Sequence, residues 1–530
     1  MITNGPLMTS TSILMACCPA LVDSCAPSVD KKLLIALRIC QYSVLVGGSN
    51  RLTHSQAQCV ISGINRPRLL YRISVYKAGG FPLINYHCSS LGINSIQPLQ
   101  TPLHNKNDKS TYTMASEQVP SPEKGVEKSS GVNQALAGLS LSSRGVHADD
   151  GIAAHRAVAP AMHVSTTFRY SDNPDELTFW NNSNADAPLD SHVYSRDSAP
   201  NTTRLEAILT SLLGAPSLTY SSGLSAFHAM LVHLNPKRIA IGDGYHGCHG
   251  VIKVLSRLNG LKQLPLDCAV EDLQPGDVIH VETPLNPTGE ARDLEFYAEK
   301  ARKAGAYLTV DATFAPPPLQ DPFKHGVDAV MHSGTKYFGG HSDMLCGVLA
   351  VNPKHEGWIK SLREDRLVLG SVMGSLEGWL GIRSLRTFEL RILRQSATAT
   401  ALVSWLAEQQ RDAESPVGAL VERIQHASLQ PEAAVEDSWL RRQMSGGWGP
   451  VFSFYLKDID DARRFPSKLH LFHHATSLGG VESLIEWRAM TDAKVDKRLL
   501  RVSIGVESLE DLKQDLLQGL EALKKEKSEK

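Results

Sequence analysis

Small and polar residues surround a single lysine, Lys336, directly after an apolar run. Residues 332–343 read His-Ser-Gly-Thr-Lys-Tyr-Phe-Gly-Gly-His-Ser-Asp. A lysine amine can form a Schiff base with a carbonyl compound. The hydroxyls of Ser333 and Thr335 before it, and the glycines at 339 and 340 after it, suit a phosphate held at short range. A lone lysine is more often a surface residue in a turn, so this interpretation depends on what other segments contribute.

Four short apolar runs predict the buried strands that would position this lysine. They are residues 238–242, 278–282, 307–311 and 329–332. Between the middle pair, residues 293–304 carry apolar side chains at helical spacing, and Gly305 stands where a helix would end. This alternation predicts an α/β fold in which a mostly parallel sheet is joined by crossover helices.

Polar residues at the ends of these strands are expected to line one cleft, because ligands of open parallel sheets lie beyond the carboxyl ends of the strands. They are Asp243, Glu282, Asp311 and Ser333. A carboxylate such as Asp311 could keep a pyridine nitrogen protonated, which makes the ring an electron sink. A role in a turn or a helix cap is the alternative for this aspartate.

Two glycine-containing segments could bind the phosphate and the ring of a cofactor that carries a carbonyl group. Residues 220–226, Tyr-Ser-Ser-Gly-Leu-Ser-Ala, leave a strand and open a helix, so their amides would form an anion site. Ordinary helix capping has the same pattern. Residues 242–247, Gly-Asp-Gly-Tyr-His-Gly, place Tyr245 on a loop where its ring could stack on a planar ring. A packed surface tyrosine is the alternative.

Composition argues against several functional classes. The 530 residues are 42% hydrophobic and carry a formal net charge of −1, which gives no electrostatic reason to expect nucleic acid or an acidic membrane as partner. No uninterrupted apolar run approaches the thickness of a bilayer. Nine cysteines in so long a chain make no disulfide framework, so we expect a reducing, cytoplasmic location. The histidines at 470, 473 and 474 lack partners at ligand spacing, so we expect no metal.

The first 113 residues differ in composition from the remainder. They hold six of the nine cysteines, and ten Lys or Arg against three acidic residues, with no sustained helical periodicity and no clear strand ladder. We expect residues 1–113 to be a disordered extension, either sequence upstream of a true start at Met114 or an organelle presequence that would make the protein mitochondrial. Residues 114–145, rich in Ser, Gly, Glu and Lys, predict a flexible linker.

Five short motifs occur in succession along the chain. They are Ser-Ser-Gly, Asp-x-Tyr-x-Gly, Glu-x-Pro-x-Asn-Pro, Asp-x-Thr-Phe and Ser-x-Thr-Lys. With them, residues 146–515 resemble the Cys/Met-metabolism family of pyridoxal-phosphate enzymes, the group of cystathionine γ-synthase, β-lyase and γ-lyase.

This resemblance implies the aminotransferase fold type I, with three parts. Residues 146–203 would form an arm that contributes to a neighbouring active site, residues 204–372 the large cofactor-binding domain, and residues 373–530 a smaller α+β domain. In the last part the sequence predicts a long helix over 376–395 and strands near 451–456 and 500–504.

The resemblance also assigns a role to each matching residue. Lys336 would hold pyridoxal 5'-phosphate covalently and act as the base, Asp311 would pair with the ring nitrogen, and Tyr245 would stack on the ring and relay protons. The phosphate would be bound by Gly223, Leu224, Ser333 and Thr335 and, from a neighbouring subunit, by Tyr194 and Arg196.

Arg501 resembles the arginine that clamps the α-carboxylate of the substrate, for which a bidentate guanidinium is suited. Asn286 and Ser477 match the positions that assist it. A structural ion pair is the alternative for Arg501.

Three segments depart from the family pattern. Ala199-Pro-Asn stands where the family has Asn-Pro-Thr, and Trp487-Arg-Ala stands for His-Pro-Ala. Thr476 occupies a position where γ-acting relatives commonly carry Glu and β-lyases an aromatic residue. These departures lie where the substrate side chain would be sorted.

The resemblance implies an enzyme that acts on a small amino-acid substrate as a homodimer or homotetramer. Its reaction would be γ-replacement on an activated homoserine with cysteine, as in cystathionine γ-synthase, or cleavage of cystathionine. Two other hypotheses stay open: another fold-type-I enzyme, such as an aminotransferase or cysteine desulfurase, and a catalytically idle relative that serves as a binding or regulatory subunit.

Overall fold

In the computed structural model the chain divides into two units, residues 1–117 and residues 118–530. The structure describes three strands of the first unit and, in the second, residues 138–152, 157–177, 179 and 192–529. Among the described helices none is both long enough and apolar enough to cross a bilayer.

The first unit contains a three-stranded antiparallel sheet. Its strands are β1 (Ser55–Ile61), β2 (Leu69–Ala78) and β3 (Phe81–Ser90), in the order β1-β2-β3. The expectation that residues 1–113 hold no strand ladder is therefore wrong for these three segments. The sequence of β2, Leu-Leu-Tyr-Arg-Ile-Ser-Val-Tyr-Lys-Ala, is rich in β-branched and aromatic residues, and two glycines separate it from β3, which is a hairpin signal.

The predicted linker over 114–145 extends too far. Helix α1 spans Leu141–His147, so its first turn lies inside the segment predicted to be flexible. Arg386 Nη1 donates to the carbonyl of Gly145 at 2.9 Å, and this long-range contact holds the helix in place. Residues 114–137 lie outside the described part of the chain.

A seven-stranded sheet forms the centre of the second unit, in the order β4-β10-β9-β8-β7-β5-β6. Its strands are β4 (Ser217–Tyr220), β5 (Arg238–Ile241), β6 (Lys262–Pro265), β7 (Val278–Glu282), β8 (Tyr307–Asp311), β9 (Ala329–Ser333) and β10 (Gly347–Val351). Strands β6, β5, β7, β8 and β9 run parallel, whereas β10 is antiparallel to both of its neighbours. The four predicted strands and the mostly parallel sheet are confirmed.

Helices cover both faces of this sheet. They are α2 (Pro200–Leu213), α3 (Gly223–Leu234), α4 (His246–Asn259), α5 (Leu294–Ala304) and α6 (Trp358–Leu369). Successive residues of one strand enter different cores: Val278 packs with the core of α3 and α4, and Ile279 with that of α5. Burial on both faces explains why the strands read as continuous apolar runs. Helix α5 starts after its cap Asp293 and stops at Gly305, as predicted.

The carboxyl-terminal part combines helices with a second sheet. Its helices are α7 (Ser375–Leu385), α8 (Phe388–Gln409), α9 (Pro416–Leu420), α10 (Trp439–Gln443), α11 (Ile459–Arg464) and α12 (Leu509–Ser528). The sheet has the order β11-β12-β15-β14-β13, with β11 (Val421–Gln425), β12 (Val451–Leu456), β13 (His473–His474), β14 (Leu484–Trp487) and β15 (Leu499–Ser503). The two strands expected near 451–456 and 500–504 are confirmed.

The single helix predicted over 376–395 is wrong, because the chain breaks between α7 and α8 at residues 386–387. No glycine or proline marks the break. Arg386 instead contacts a segment much earlier in the chain, where its Nη2 donates to Asp149 Oδ1 at 2.7 Å. Such a tertiary contact leaves no local signal.

Candidate active site

Two acidic side chains lie next to each other at the carboxyl ends of neighbouring strands. Glu282 ends β7 and Asp311 ends β8, and the parallel register pairs them directly. Thr313 donates to Asp311 Oδ1 from its backbone N–H at 3.0 Å and from its hydroxyl at 2.5 Å. Both bonds end on Oδ1, which leaves Oδ2 to accept from a ligand. Burial raises the pKa of Asp311, and burial together with the neighbouring Asp311 raises the pKa of Glu282 to about 8.

Lys336 follows β9, and its amine interacts electrostatically with Asp311 and with Arg501. Nζ donates to Ser477 Oγ at 2.7 Å. Burial and the positive charge of Arg501 lower the pKa of Lys336 to about 8, although Glu486 and Asp311 oppose this shift. An amine with this pKa is partly unprotonated near neutral pH, which is what a nucleophile or base requires.

Ser477 holds the lysine from a strained backbone position. Its φ of 77° lies in the left-handed region, which non-glycine residues seldom adopt outside functional sites. The hydroxyl meets Lys336, and the carbonyl accepts from Arg501 Nη2 at 2.8 Å. One residue therefore fixes both cationic side chains of the site.

Arg501, on β15, is buried among acceptors. Nη1 donates to Asn286 Oδ1 at 3.2 Å, and Nη2 lies 2.5 Å from Glu486 Oε2 in an ion pair whose two side chains are each 4% exposed. The sequence left two interpretations of this arginine, a carboxylate clamp and a structural ion pair. The structure contains the ion pair and also places the guanidinium beside the lysine.

Glu282 links the ring-stacking candidate to the arginine. Its Oε2 accepts the backbone N–H of Tyr245 at 2.7 Å, and its Oε1 accepts the backbone N–H of Asn286 at 2.8 Å. Tyr245 precedes α4 with its ring 37% exposed. Burial raises the pKa of the Tyr245 hydroxyl. Asp243, the fourth strand-end residue, is exposed.

The start of α3 forms a narrow space against the end of β9. A Cβ atom at Gly223 would lie 3.1 Å from Ser333 Cβ, so a larger residue there would require Ser333 to shift by a few tenths of an ångström. Leu224 borders the start of α4, because its Cδ2 would lie 3.0 Å from a Cβ at Gly247. Two helix amino ends thus meet at this point, which favours an anion. Thr335 Oγ1 lies nearby but already bonds both backbone groups of Cys346.

Tyr194 and Arg196 lie apart from this cluster. The guanidinium of Arg196 stands 5.5 Å from the Tyr194 ring centroid, and the two residues line a cavity of about 480 Å³ with Val193, Asp197, Leu367 and Val368. Within the part of the chain that the structure describes, neither side chain hydrogen-bonds to Lys336 or its neighbours. Tyr194 is 45% exposed.

Three residues near the site received no role from the sequence. Glu486 and Arg488, on and just after β14, are 3% and 2% exposed, and Glu282 joins Tyr245 to Asn286 as described above. Glu282 stood at a predicted strand end, which was a usable signal. Arg488 carried a weaker signal, because it lies in the Trp487-Arg-Ala segment that departs from the family pattern. Glu486 carried none, because a glutamate usually belongs to a solvated surface.

These groups fit pyridoxal 5'-phosphate. Burial disfavours the negative charge of Asp311 and of the neighbouring Glu282. A protonated ring nitrogen at Asp311 Oδ2 would stabilise the charged form of these carboxyls. The meeting helix amino ends with Ser333 would take the phosphate, Tyr245 would cover the ring, and Lys336 Nζ would bind the aldehyde.

Comparison with known proteins gives the same answer. Residues 142–521 match the model of the Cys/Met metabolism PLP-dependent enzyme family. The chain is 29% identical over 405 residues to a cystathionine gamma-lyase of Saccharomyces cerevisiae, covering 72% of this chain and 97% of the relative. It is 33% identical over 350 residues to a cystathionine beta-lyase of Lactococcus lactis, covering 62% and 88%.

A solved structure aligns over a similar extent. The cystathionine gamma synthase from Xanthomonas oryzae pv. oryzae in complex with aminoacrylate and cysteine superposes with a TM-score of 0.63 at 28% identity, covering 72% of this chain and 98% of that one. A cystathionine gamma-lyase, a beta-lyase and a gamma synthase are therefore about equally similar to this chain, at 28% to 33% identity.

Proposed function

The chain belongs to the Cys/Met metabolism PLP-dependent enzymes, and from that premise we propose that it forms or breaks the carbon–sulfur bond of cystathionine. It is an enzyme that uses pyridoxal phosphate, with the expected fold type I. The observation that carries the proposal is the position of Lys336. Its amine bonds Ser477, which also bonds Arg501, an arginine that suits a carboxylate, and it interacts electrostatically with Asp311, a buried carboxyl that suits a ring nitrogen.

Bound pyridoxal 5'-phosphate supplies an aldehyde that reacts with amines and a protonated ring that withdraws electrons from them. Asp311 would keep the ring nitrogen protonated through Oδ2. Arg501, with Asn286 and Ser477, would orient the α-carboxylate so that the Cα–H bond faces Lys336.

Lys336 Nζ would then take the proton from Cα and return it to a neighbouring carbon or to the leaving group. Ser477 Oγ, which accepts from this amine at 2.7 Å, would hold Nζ in line between these positions. Tyr245, with its hydroxyl kept protonated, would assist the transfer as a donor.

These residues could support two reactions, and the proposal includes both of them. Replacement of the γ-substituent of an activated homoserine by cysteine makes cystathionine, and elimination at the β or γ carbon cleaves it. Thr476, where γ-acting relatives commonly have Glu, is exposed beside Ser477. It leaves room for a substrate side chain without adding a charge.

We propose further that the active site is shared between subunits. Tyr194 and Arg196 are directed to a cavity away from Lys336, which suits residues that bind the phosphate of a neighbouring copy. A homodimer or homotetramer would then be the active form.

The first test is spectroscopic. The purified protein, incubated with pyridoxal 5'-phosphate and desalted, should retain a visible absorption band that Lys336→Ala abolishes. Lys324→Ala, which removes a lysine whose side chain is 76% exposed, is the matched control and should keep the band. A folded wild-type protein without the band would contradict the proposal.

The second test identifies products. The cofactor-loaded enzyme is incubated with cystathionine, and separately with an acyl-homoserine plus cysteine. Homocysteine from the first identifies a β-lyase, cysteine from the first a γ-lyase, and cystathionine from the second a synthase. Conversion of the cofactor to its pyridoxamine form, with no cleavage or condensation, would instead identify an aminotransferase and overturn the proposal.

A further inference from the structure

A second buried arginine lies behind the one that faces Lys336. Arg488 is 2% exposed, and its Nη1 lies 3.3 Å from each carboxylate oxygen of Glu486. Nη1 also donates to Thr491 Oγ1 at 2.9 Å, and that hydroxyl donates to Glu486 Oε1 at 2.6 Å. Arg488 is thus fixed to the same carboxylate that pairs with Arg501.

Glu486 is therefore shared between two guanidinium groups. Its Oε2 lies 2.5 Å from Arg501 Nη2, and both of its carboxylate oxygens lie 3.3 Å from Arg488 Nη1. The three side chains are 2% to 4% exposed, so water screens their charges weakly. Two cations and one anion leave one unbalanced positive charge in this buried group.

This charge count matters for substrate binding. If Arg488 were absent, Glu486 would neutralise Arg501 completely, and the guanidinium would attract a further carboxylate only weakly. With Arg488 present, one positive charge is left for an incoming anion. Lys336 does not supply this charge in the loaded enzyme, because in the proposed function its amine holds the cofactor.

We propose that Arg488 is a positioning residue for the α-carboxylate of the substrate. It acts through Glu486, whose charge it balances, and so keeps Arg501 able to bind a carboxylate. The proposal rests on the proposed function, because it takes Arg501 as the substrate clamp. It assigns a role to a position where this chain departs from the family pattern of His-Pro-Ala.

Other contacts of Arg488 agree with an indirect role. Nη2 lies 3.5 Å from His246 Nδ1, on the residue after Tyr245, and Nε has no hydrogen-bond partner among the described residues. Arg501, and not Arg488, bonds Ser477, the residue that meets Lys336, so a substrate held at Lys336 would meet Arg501.

The test compares two ligands that differ only by a carboxylate. L-alanine and ethylamine are titrated by calorimetry into the cofactor-loaded wild-type enzyme and into Arg488→Met, which keeps an unbranched side chain without charge. L-alanine should bind about 10- to 100-fold more weakly to the variant, the range of one charge-assisted hydrogen bond. Ethylamine should bind equally to both. Unchanged L-alanine affinity, or an equal loss for both ligands, would overturn the proposal.

A second substitution separates charge from packing. In Glu486→Gln/Arg488→Met the opposing carboxylate is gone, so L-alanine affinity should return to within about threefold of wild type. A double variant as weak as Arg488→Met would show that Arg488 acts through packing alone. If Arg488→Met does not fold, Arg488→Lys decides: it keeps the charge and should bind L-alanine within about tenfold of wild type, and a larger loss would contradict the proposal.

The proposed function can fail independently of this inference. Absence of the visible band or of any carbon–sulfur product in the wild-type enzyme refutes the function. A wild-type enzyme that makes such products, together with an Arg488→Met variant of normal L-alanine affinity, refutes only the role of Arg488.

Discussion

At the scale of single residues, burial and charge decide what each group can do. Lys336 and Arg501 are two buried cations, and burial together with the charge of Arg501 makes Lys336 harder to charge. Burial and the nearby Arg488 contribute to an Arg501 pKa lowered to about 10, although Glu486 opposes this. The lysine yields first, because its ordinary pKa is lower than that of arginine. The result is a reactive amine next to a retained guanidinium.

This difference predicts a pH dependence for cofactor uptake. The unprotonated amine of Lys336 attacks the aldehyde, so the rate at which cofactor-free protein takes up pyridoxal 5'-phosphate should rise with pH and level off above about pH 9. The midpoint should lie near the Lys336 pKa of about 8, and stopped-flow absorbance measures it. A rate that continues to rise toward the ordinary lysine pKa of 10.5 would contradict this assignment.

At the scale of elements, the site depends on how closely two helices approach at their amino ends. Helix α4 starts immediately after Tyr245, and a Cβ at Gly247 would lie 2.6 Å from the Tyr245 ring. Real Cβ contacts are not this short, so the tyrosine ring rests where a larger residue would stand. Glycine destabilises a helix relative to alanine. The position of the Tyr245 ring explains why glycine nevertheless occupies position 247.

Gly247→Ala should therefore displace the Tyr245 ring. We expect a loss of about 1–3 kcal/mol in the free energy of unfolding, as for other overpacked positions, together with weaker cofactor binding. Gly250→Ala is the matched control in the same helix, since nothing lies within 4 Å of its Cβ. This control should gain up to about 1 kcal/mol from helix propensity. Urea unfolding and cofactor titration of both variants measure the effects, and equal behaviour of the pair would argue against a role for ring position.

At the scale of the whole molecule, the described chain holds most of the predicted site but not all of it. Contacts and charge interactions connect the carboxyl-end residues of the large sheet with Arg501 in the second sheet. The connected residues are Lys336, Asp311, Tyr245, Asn286, Ser477 and Arg501. Tyr194 and Arg196 occupy a separate, partly exposed surface. The site that we propose to be completed by a second copy would account for this separation.

Mixed oligomers test the shared site. Arg196→Ala and Lys336→Ala should each be inactive, but their co-expression should restore about one quarter of wild-type activity, because half of randomly formed dimers contain one intact site of two. Lys336→Ala co-expressed with Arg501→Ala is the control. Both residues of that pair belong to the same copy of the site, so no activity should return. Recovery in neither mixture would mean that sites are not shared.

The sequence alone indicated the cofactor chemistry and the mostly parallel character of the large sheet, but not its strand order or its antiparallel strand β10. Buried parallel strands are continuous apolar runs, and the residues that end them meet at one edge, so Asp311 and Lys336 could be placed together from local patterns. The helix between β7 and β8 followed from the helical spacing of its apolar residues and from Gly305 at its end.

Only the tertiary structure decided the electrostatics around Arg501, the break between α7 and α8, and the ordering of α1. Arg501 and Asn286 are 215 positions apart, and Glu486 is buried only because two arginines enclose it. The break at 386–387 and the ordering of α1 depend on contacts of Arg386 with residues far away in the chain. Local sequence carries spacing and side-chain type, whereas the burial that shifts a pKa or pairs a charge is created only when distant segments pack together.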